Sequence, residues 1–155
     1  MRYTLLYIMV IVVAMVTTAC DNHTVYYHYE HTLADGWDRT DTLHYQITSL
    51  PADGDYEAEV GVRINRDYPF QNVGVIVDIT SICTRQAWND TLNCIVRDPD
   101  GDVEGQGISQ YTALFPLKHL HLQQGDTLNV SIHHHMRREV LQGVTDVGVK
   151  LKVEG

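Results

Sequence analysis

The chain has 155 residues with 20 acidic side chains against 11 basic ones, nine histidines and three cysteines. That length suits one domain with a real core, and an excess of acid this large excludes nucleic acid as a natural partner. The net charge of −9 also works against adhesion to phosphate-rich lipid, so any membrane contact must come from something other than a basic patch.

Met1 to Thr4 contain one cation, Arg2, and an apolar run follows from Leu5 to Val16. The run is twelve residues long, short of the roughly 20 that a membrane-spanning helix needs, so residues 1–19 read as a signal peptide. Thr17, Thr18 and Ala19 lead into Cys20 and Asp21, an arrangement that resembles the bacterial lipobox, in which the cysteine is acylated and the peptide is cut just before it. Cys20 is therefore the expected lipidation site, and its acyl chains the expected membrane contact. Two or more chains, at about 0.8 kcal/mol per buried methylene, hold a protein stably on a bilayer. Cleavage removes Arg2 and no acid, which leaves a balance of −10. Residues 20–24 then form the lipidated cysteine with a short tether, and 25–155 a single domain.

From there the periodicity is two. Val25 to Tyr29 has strand composition; Leu43, Tyr45 and Ile47 alternate with polar residues; Tyr56, Ala58, Val60, Val62 and Ile64 do the same. Val73 to Ile82 is apolar on both parities, which predicts a central strand covered on two sides. Leu92, Cys94 and Val96, then Leu128, Val130 and Ile132, then Val147, Val149, Leu151 and Val153 repeat the alternation. Turn residues cluster at Pro51–Gly54, Trp88–Asp90, Asp98–Gly101 and Gln123–Asp126, while 111–122 and 136–143 have room for a short helical turn. Asp-Thr-Leu occurs at Asp41, Asp90 and Asp126 and is expected to open a strand each time, the Asp closing the turn before it. The fold class is all-β: an antiparallel β-sandwich, jelly-roll-like.

Candidate chemistry is sparse. Three consecutive histidines, His133 to His135, cannot converge on one ion from a strand, since neighbours point to opposite faces, although a two-histidine site with His119 or His121 stays open. Asp98-Pro99-Asp100-Gly101-Asp102-Val103-Glu104 has calcium-loop composition without EF-hand spacing and reads as a turn with solvated acids, with weak calcium binding left open. Glu57 and Glu59, alternate on one strand face, read as solvated acids and not as a glycosidase pair. With a hairpin tip at Trp88 and Asn89, Cys83 and Cys94 become cross-strand neighbours, so they form either a disulfide or two thiols. Trp37, Tyr68 and Trp88 stand beside turn residues and either stack on a glycan or fold onto the core. No nucleophile motif is visible, no cofactor is implied, and no enzyme is expected.

Taken in order, the motifs resemble the GldH-type gliding-motility lipoproteins of the Bacteroidetes. The series runs from Cys20 and the tyrosine-rich first segment through Gly36-Trp37 and the stretch from Arg63 to Val73 with its Asn65, Tyr68-Pro69 and Asn72. It continues through Asp90-Thr91-Leu92, Asp98-Pro99-Asp100-Gly101 and Gly105-Gln106-Gly107, and ends with Met136-Arg137 and Leu141-Gln142-Gly143-Val144-Thr145-Asp146-Val147-Gly148. Val103-Glu104 stands where the family has an aromatic, and Cys83 and Cys94 fall outside the pattern. The resemblance implies an outer-membrane lipoprotein of the cell envelope, needed for gliding and linked to the secretion of surface adhesins, with other envelope proteins as partners. A non-catalytic interaction or assembly component is the leading expectation, and a carbohydrate- or peptidoglycan-binding module built on the three aromatics is the alternative.

Overall fold

The computed structural model describes residues 23–103 and 105–155; residues 1–22, with the expected signal peptide and the expected lipidation site Cys20, and Glu104 lie outside them. Ten strands follow one another: β1 (Thr24–His31), β2 (Trp37–Asp38), β3 (Leu43–Ile47), β4 (Gly54–Asn65), β5 (Asn72–Ser81), β6 (Ala87–Ile95), β7 (Gln110–Leu122), β8 (Leu128–His134), β9 (Val140–Leu141) and β10 (Val144–Val153). Two four-stranded antiparallel sheets result, ordered β1-β10-β4-β7 and β3-β8-β5-β6, with β2 and β9 as a separate ribbon. The chain changes sheet at every main connection except the β5–β6 hairpin. These crossings are compatible with the jelly-roll-like wrap expected from the sequence.

Alternation sets the core. Leu43, Tyr45 and Ile47 of β3, Tyr56, Ala58, Val60, Val62 and Ile64 of β4, Leu128, Val130 and Ile132 of β8 and Val147, Val149 and Leu151 of β10 are all buried between the sheets. Tyr45 ties the layers together, its hydroxyl donating to the Val147 carbonyl at 2.7 Å. Outward, β4 presents Glu57 and Glu59, which meet Lys152 at 2.9 and 3.2 Å. Strand β5 is central in its sheet, between β8 and β6. One face is buried throughout, at Val73, Val75, Val77, Ile79 and Ser81, whereas the other is covered only in part: Gly74 is buried, Ile76 and Asp78 are half-buried and Thr80 is exposed.

Three sequence expectations need correction. Trp88–Asp90 is no turn but the body of β6: β5 and β6 pair from Asn72↔Ile95 to Thr80↔Ala87, so the hairpin turns at 82–86. Asp90 accordingly stands mid-strand, where it meets Lys118 at 2.7 Å. Residues 111–122 form β7, not a helical turn, with a bulge opposite Ala58 and Glu59, and 136–143 holds β9.

The ends of the sandwich differ. One gathers the start of β1, the end of β10 and the connections 48–53, 82–86 and 123–127. The other gathers the connections 32–42, 66–71, 96–109 and 135–143. At roughly 3.3 Å per residue, β1 alone separates them by about 25 Å.

Candidate functional site at the loop end

The loops farthest from the start of β1 are built from inside. Gly36 has φ +118, and a Cβ there would stand 2.7 Å from the Leu141 carbonyl oxygen, so glycine lets the β2–β9 ribbon close. In that ribbon Trp37 pairs with Leu141 and Asp38 with Val140. The Trp37 indole is fully buried, its Nε1 donating to the Asp41 carbonyl at 3.0 Å and its ring meeting His134 edge-on at 5.1 Å. His134 Nε2 lies 3.1 Å from the Trp37 carbonyl, which can only accept, so the proton sits on Nε2. Burial holds the His134 imidazole below its ordinary value, against the pull of that hydrogen bond.

Beside it, Asn65 donates its backbone N–H to Gly143 at 2.8 Å and receives Asp67 N–H on Oδ1 at 2.9 Å. Tyr68 is buried, with its hydroxyl donating to the Asn72 carbonyl at 2.7 Å and its ring edge-on to Phe70 at 5.6 Å. Burial pushes the phenol pKa up. Arg97 donates to the Tyr68 carbonyl from Nε at 3.3 Å and Nη2 at 3.1 Å. Arg39 clamps the far wall: its Nη2 donates to the carbonyls of Met136, Arg137 and Arg138 at 2.5, 2.6 and 3.3 Å. Nearby Asp38 is held below the usual carboxylate range by the hydroxyl and N–H of Thr40, at 2.7 and 2.8 Å.

Two clefts open on this frame, of about 370 and about 490 Å³, meeting at Asp67 and Gln142. The larger runs along Pro69, Phe70 and Val140 with Arg137, Arg138 and Glu139 on its rim.

Gly36-Trp37, Asn65 to Asn72, Met136-Arg137 and Leu141 to Gly143 thus stand within one cluster of hydrogen bonds and pairings, although the first and last of them lie more than a hundred residues apart in sequence. A family model described as GldH lipoprotein matches residues 24–151. The chain belongs to the GldH lipoprotein family. Its curated relative, the gliding motility lipoprotein GldH of Flavobacterium johnsoniae, is 25% identical over 148 residues, covering 90% of this chain and 91% of that protein. Solved structures are more distant. A family 115 4-O-methyl-α-glucuronidase aligns with TM-score 0.42 at 11% identity over 88% of this chain and 18% of its own. The Cry4Aa toxin of Bacillus thuringiensis gives 0.47 at 8% over 76% and 19%. A family 35 carbohydrate binding module of Clostridium thermocellum gives 0.41 at 9% over 83% and 94%. The chain spans about a fifth of the first two, and none of the three carries an argument about function.

Set against this GldH frame, the candidate residues fall apart as sites. Trp37 and Tyr68 are 0% and 1% exposed and offer no ring to a sugar; they are the core of the loop end. Trp88 is half-buried on β6. Cys83 lies in the β5–β6 turn and is exposed, whereas Cys94 is buried opposite Val73, and both are free thiols. About seven strand residues, roughly 23 Å, lie between the turn and Cys94, so no disulfide links them. His134 faces the core while His133 and His135 do not, as alternation demands. His119 and His121 pair with Glu154 and Asp55 at the end where β1 begins, remote from the histidine triplet. The Asp98–Gly101 segment is a turn: Gly101 N–H donates to the Asp98 carbonyl at 3.0 Å, and the Asp98 carboxylate accepts Asp102 N–H at 2.8 Å.

Sequence reasoning passed over Arg39 and Arg97, since nothing marks a loop arginine as a carbonyl clamp. It also passed over an outer-face cluster in which Tyr29 lies across Gly61 and Gly148, with the Arg63 guanidinium 3.9 Å from its ring centre. Arg63 in turn faces buried Asp146 at 3.9 Å. Two glycines facing outward from strand interiors were the available signal.

Proposed function

We propose that this protein is a lipid-anchored component of the outer cell envelope that works by contact, without catalysis, in the assembly of gliding-motility and associated secretion machinery. The carrying observation is the extent of the family match: it runs over 24–151, every strand of the sandwich but the last residues of β10. Gly36-Trp37, Asn65 to Asn72, Met136-Arg137 and Leu141 to Gly143 of the resemblance shape one end of the domain, which is the pattern of a surface built to be held in a fixed form. Cys20 supplies the anchor by the lipobox-like sequence before it. The glycan-binding alternative loses two of its three rings to the core.

The test is made in the native host. Deleting the gene is expected to impair surface spreading and the export of surface proteins, and a wild-type copy to restore both. A Cys20→Ser copy is expected to escape acylation by a labelled fatty acid and to fail in restoration. Normal spreading and normal surface proteins in the deletion strain would overturn the proposal, as would a Cys20→Ser protein that stays on membranes through a salt wash.

A further inference from the structure

We infer that the cleft along Pro69, Phe70 and Val140, rimmed by Arg137 and Arg138, docks an extended acidic segment of a partner protein, and not the membrane that holds the lipid anchor. The inference rests on the contact function proposed above and assigns it a surface.

Charge bookkeeping sets apart these two arginines and Arg85, which lies in the β5–β6 turn at the opposite end of the sandwich. In a chain of net −9, the other cations are mostly engaged: Lys118 with Asp90, Lys152 with Glu57 and Glu59, Arg63 with Asp146, and Arg39, Arg66 and Arg97 with backbone carbonyls. The guanidiniums of Arg137 and Arg138 are exposed and meet no carboxylate among the described residues, although Asp67 and Glu139 line the same cleft. Their backbone is fixed all the same, because Arg39 binds both of their carbonyls. Two unspent guanidiniums on a held backbone match a carboxylate-bearing ligand, since arginine presents a planar fork that carboxylates fit.

Beside the charged groups, Pro69, Phe70 and Val140 give the cleft an apolar stripe. Val140 is 39% exposed and Leu33, across the adjoining cleft, 65%, so side chains entering here gain burial as well as charge. A ligand with an apolar residue flanked by Asp or Glu satisfies both features.

Position decides between protein and membrane. The described chain begins at His23, whose carbonyl accepts Val153 N–H at 2.7 Å, and β1 runs from there to the loop end. Cys20 stands three residues before His23, a reach of about 10 Å at most, whereas β1 carries the cleft about 25 Å in the other direction. The arginines belong to the connection 135–143, at the other end of the sandwich from His23.

The experiment places a photo-reactive p-benzoylphenylalanine at Val140 of the full-length lipoprotein in living cells, with Gln46, exposed on the other sheet, as the control position. Expected is a protein adduct from position 140, mapped to a segment containing Asp or Glu, and absent from position 46. Combining R137E with R138E should cut that adduct about tenfold, and replacing the mapped acids by lysine should restore it. An adduct with lipid, an adduct from position 46 alone, no adduct from 140, or one indifferent to R137E/R138E would overturn the inference. Because both side chains are exposed and unpaired, the doubly substituted protein should accumulate at the wild-type level by immunoblot. If the deletion strain has a phenotype that R137E/R138E rescues fully, this inference fails while the proposed function stands; if the deletion has none, the proposed function itself fails.

Discussion

Gly143 and Tyr68 approach so closely that a Cβ on the glycine would stand 2.4 Å from the Tyr68 backbone nitrogen. The same glycine has φ +88 and accepts the Asn65 N–H on its carbonyl. Gly143→Ala must therefore displace backbone, not a side chain, and is expected to cost about 3 kcal/mol. Gly125→Ala, at φ +77 with nothing near its Cβ, carries the conformational strain alone and should cost about 1 kcal/mol. Urea denaturation of both variants checks the difference; equal losses would mean that the Tyr68 contact is unimportant.

The two glycines beneath Tyr29 should not respond alike. A Cβ at Gly61 meets the phenol oxygen, the free end of the side chain, whereas one at Gly148 meets ring atoms Cδ1, Cε1 and Cγ near its root. Swinging the tip aside is easy; lifting the whole ring off the sheet also breaks its stack with Arg63. Gly148→Ala is expected to destabilise by about 2 kcal/mol and Gly61→Ala by about 1 kcal/mol or less. In a Tyr29→Ala background both penalties should shrink, which a double-mutant cycle measures.

Much of the sandwich was legible because its strands obey a period of two: β3, β4, β8 and β10 bury the residues that alternation selects. Strand β6 was misread at Trp88-Asn89-Asp90, which has turn composition yet pairs fully with β5. The true turn lacks glycine and proline and is held by side chains: buried Asp126 accepts the Ser81 hydroxyl at 2.5 Å and the Cys83 N–H at 3.0 Å, while Thr84 donates its hydroxyl to Ser81 at 2.7 Å. Its partner Asp126 stands more than forty residues on, out of reach of any local reading. Strand β7 hid because Leu114, Phe115, Pro116 and Leu117 break alternation at a bulge. Trp37 and Tyr68 sit among turn residues, and their burial comes from His134 and Phe70, contacts made only once the loops have converged.

His134 makes stability depend on pH. Its imidazole is buried as the neutral form and titrates below the ordinary value, so the unfolded chain, with a value of about 6.5, binds the proton more readily. The stability His134 contributes is complete above about pH 6.5 and is lost as the pH falls through it toward the folded value. Urea midpoints for the wild type should decline from about pH 7 to pH 5 more steeply than those of His134→Phe, which has no group to charge there. Parallel profiles would contradict the buried neutral imidazole. Asp126 acts lower down: burial pushes its carboxyl up, but hydrogen bonds from Ser81, Cys83 and Thr127 outweigh that and hold it below the usual range, so its contribution disappears only beneath about pH 4.

The two thiols of the domain should behave as separate, reduced groups. Burial pushes the Cys94 thiol up to about 12, and its hydrogen bond to Asp126 raises Cys83, so both resist forming thiolate. Native protein at neutral pH is expected to take up one maleimide slowly, at Cys83, and a second at Cys94 only after denaturation. Reductant should leave the thermal midpoint unchanged. A loss of two mass units reversed by reductant would reveal a bond that the β5–β6 register does not permit.

Strand β1 runs from the first described residues to the loop end and is zipped to β10 along its length, from Thr24↔Lys152 to His31↔Asp146. A pull between the lipid and a load held in the Arg137 cleft would run parallel to that strand. The cross-strand hydrogen bonds lie perpendicular to it, so they would be strained together, in shear, instead of being peeled open one after another. Mounted this way round, the sandwich transmits tension in its stiffest direction.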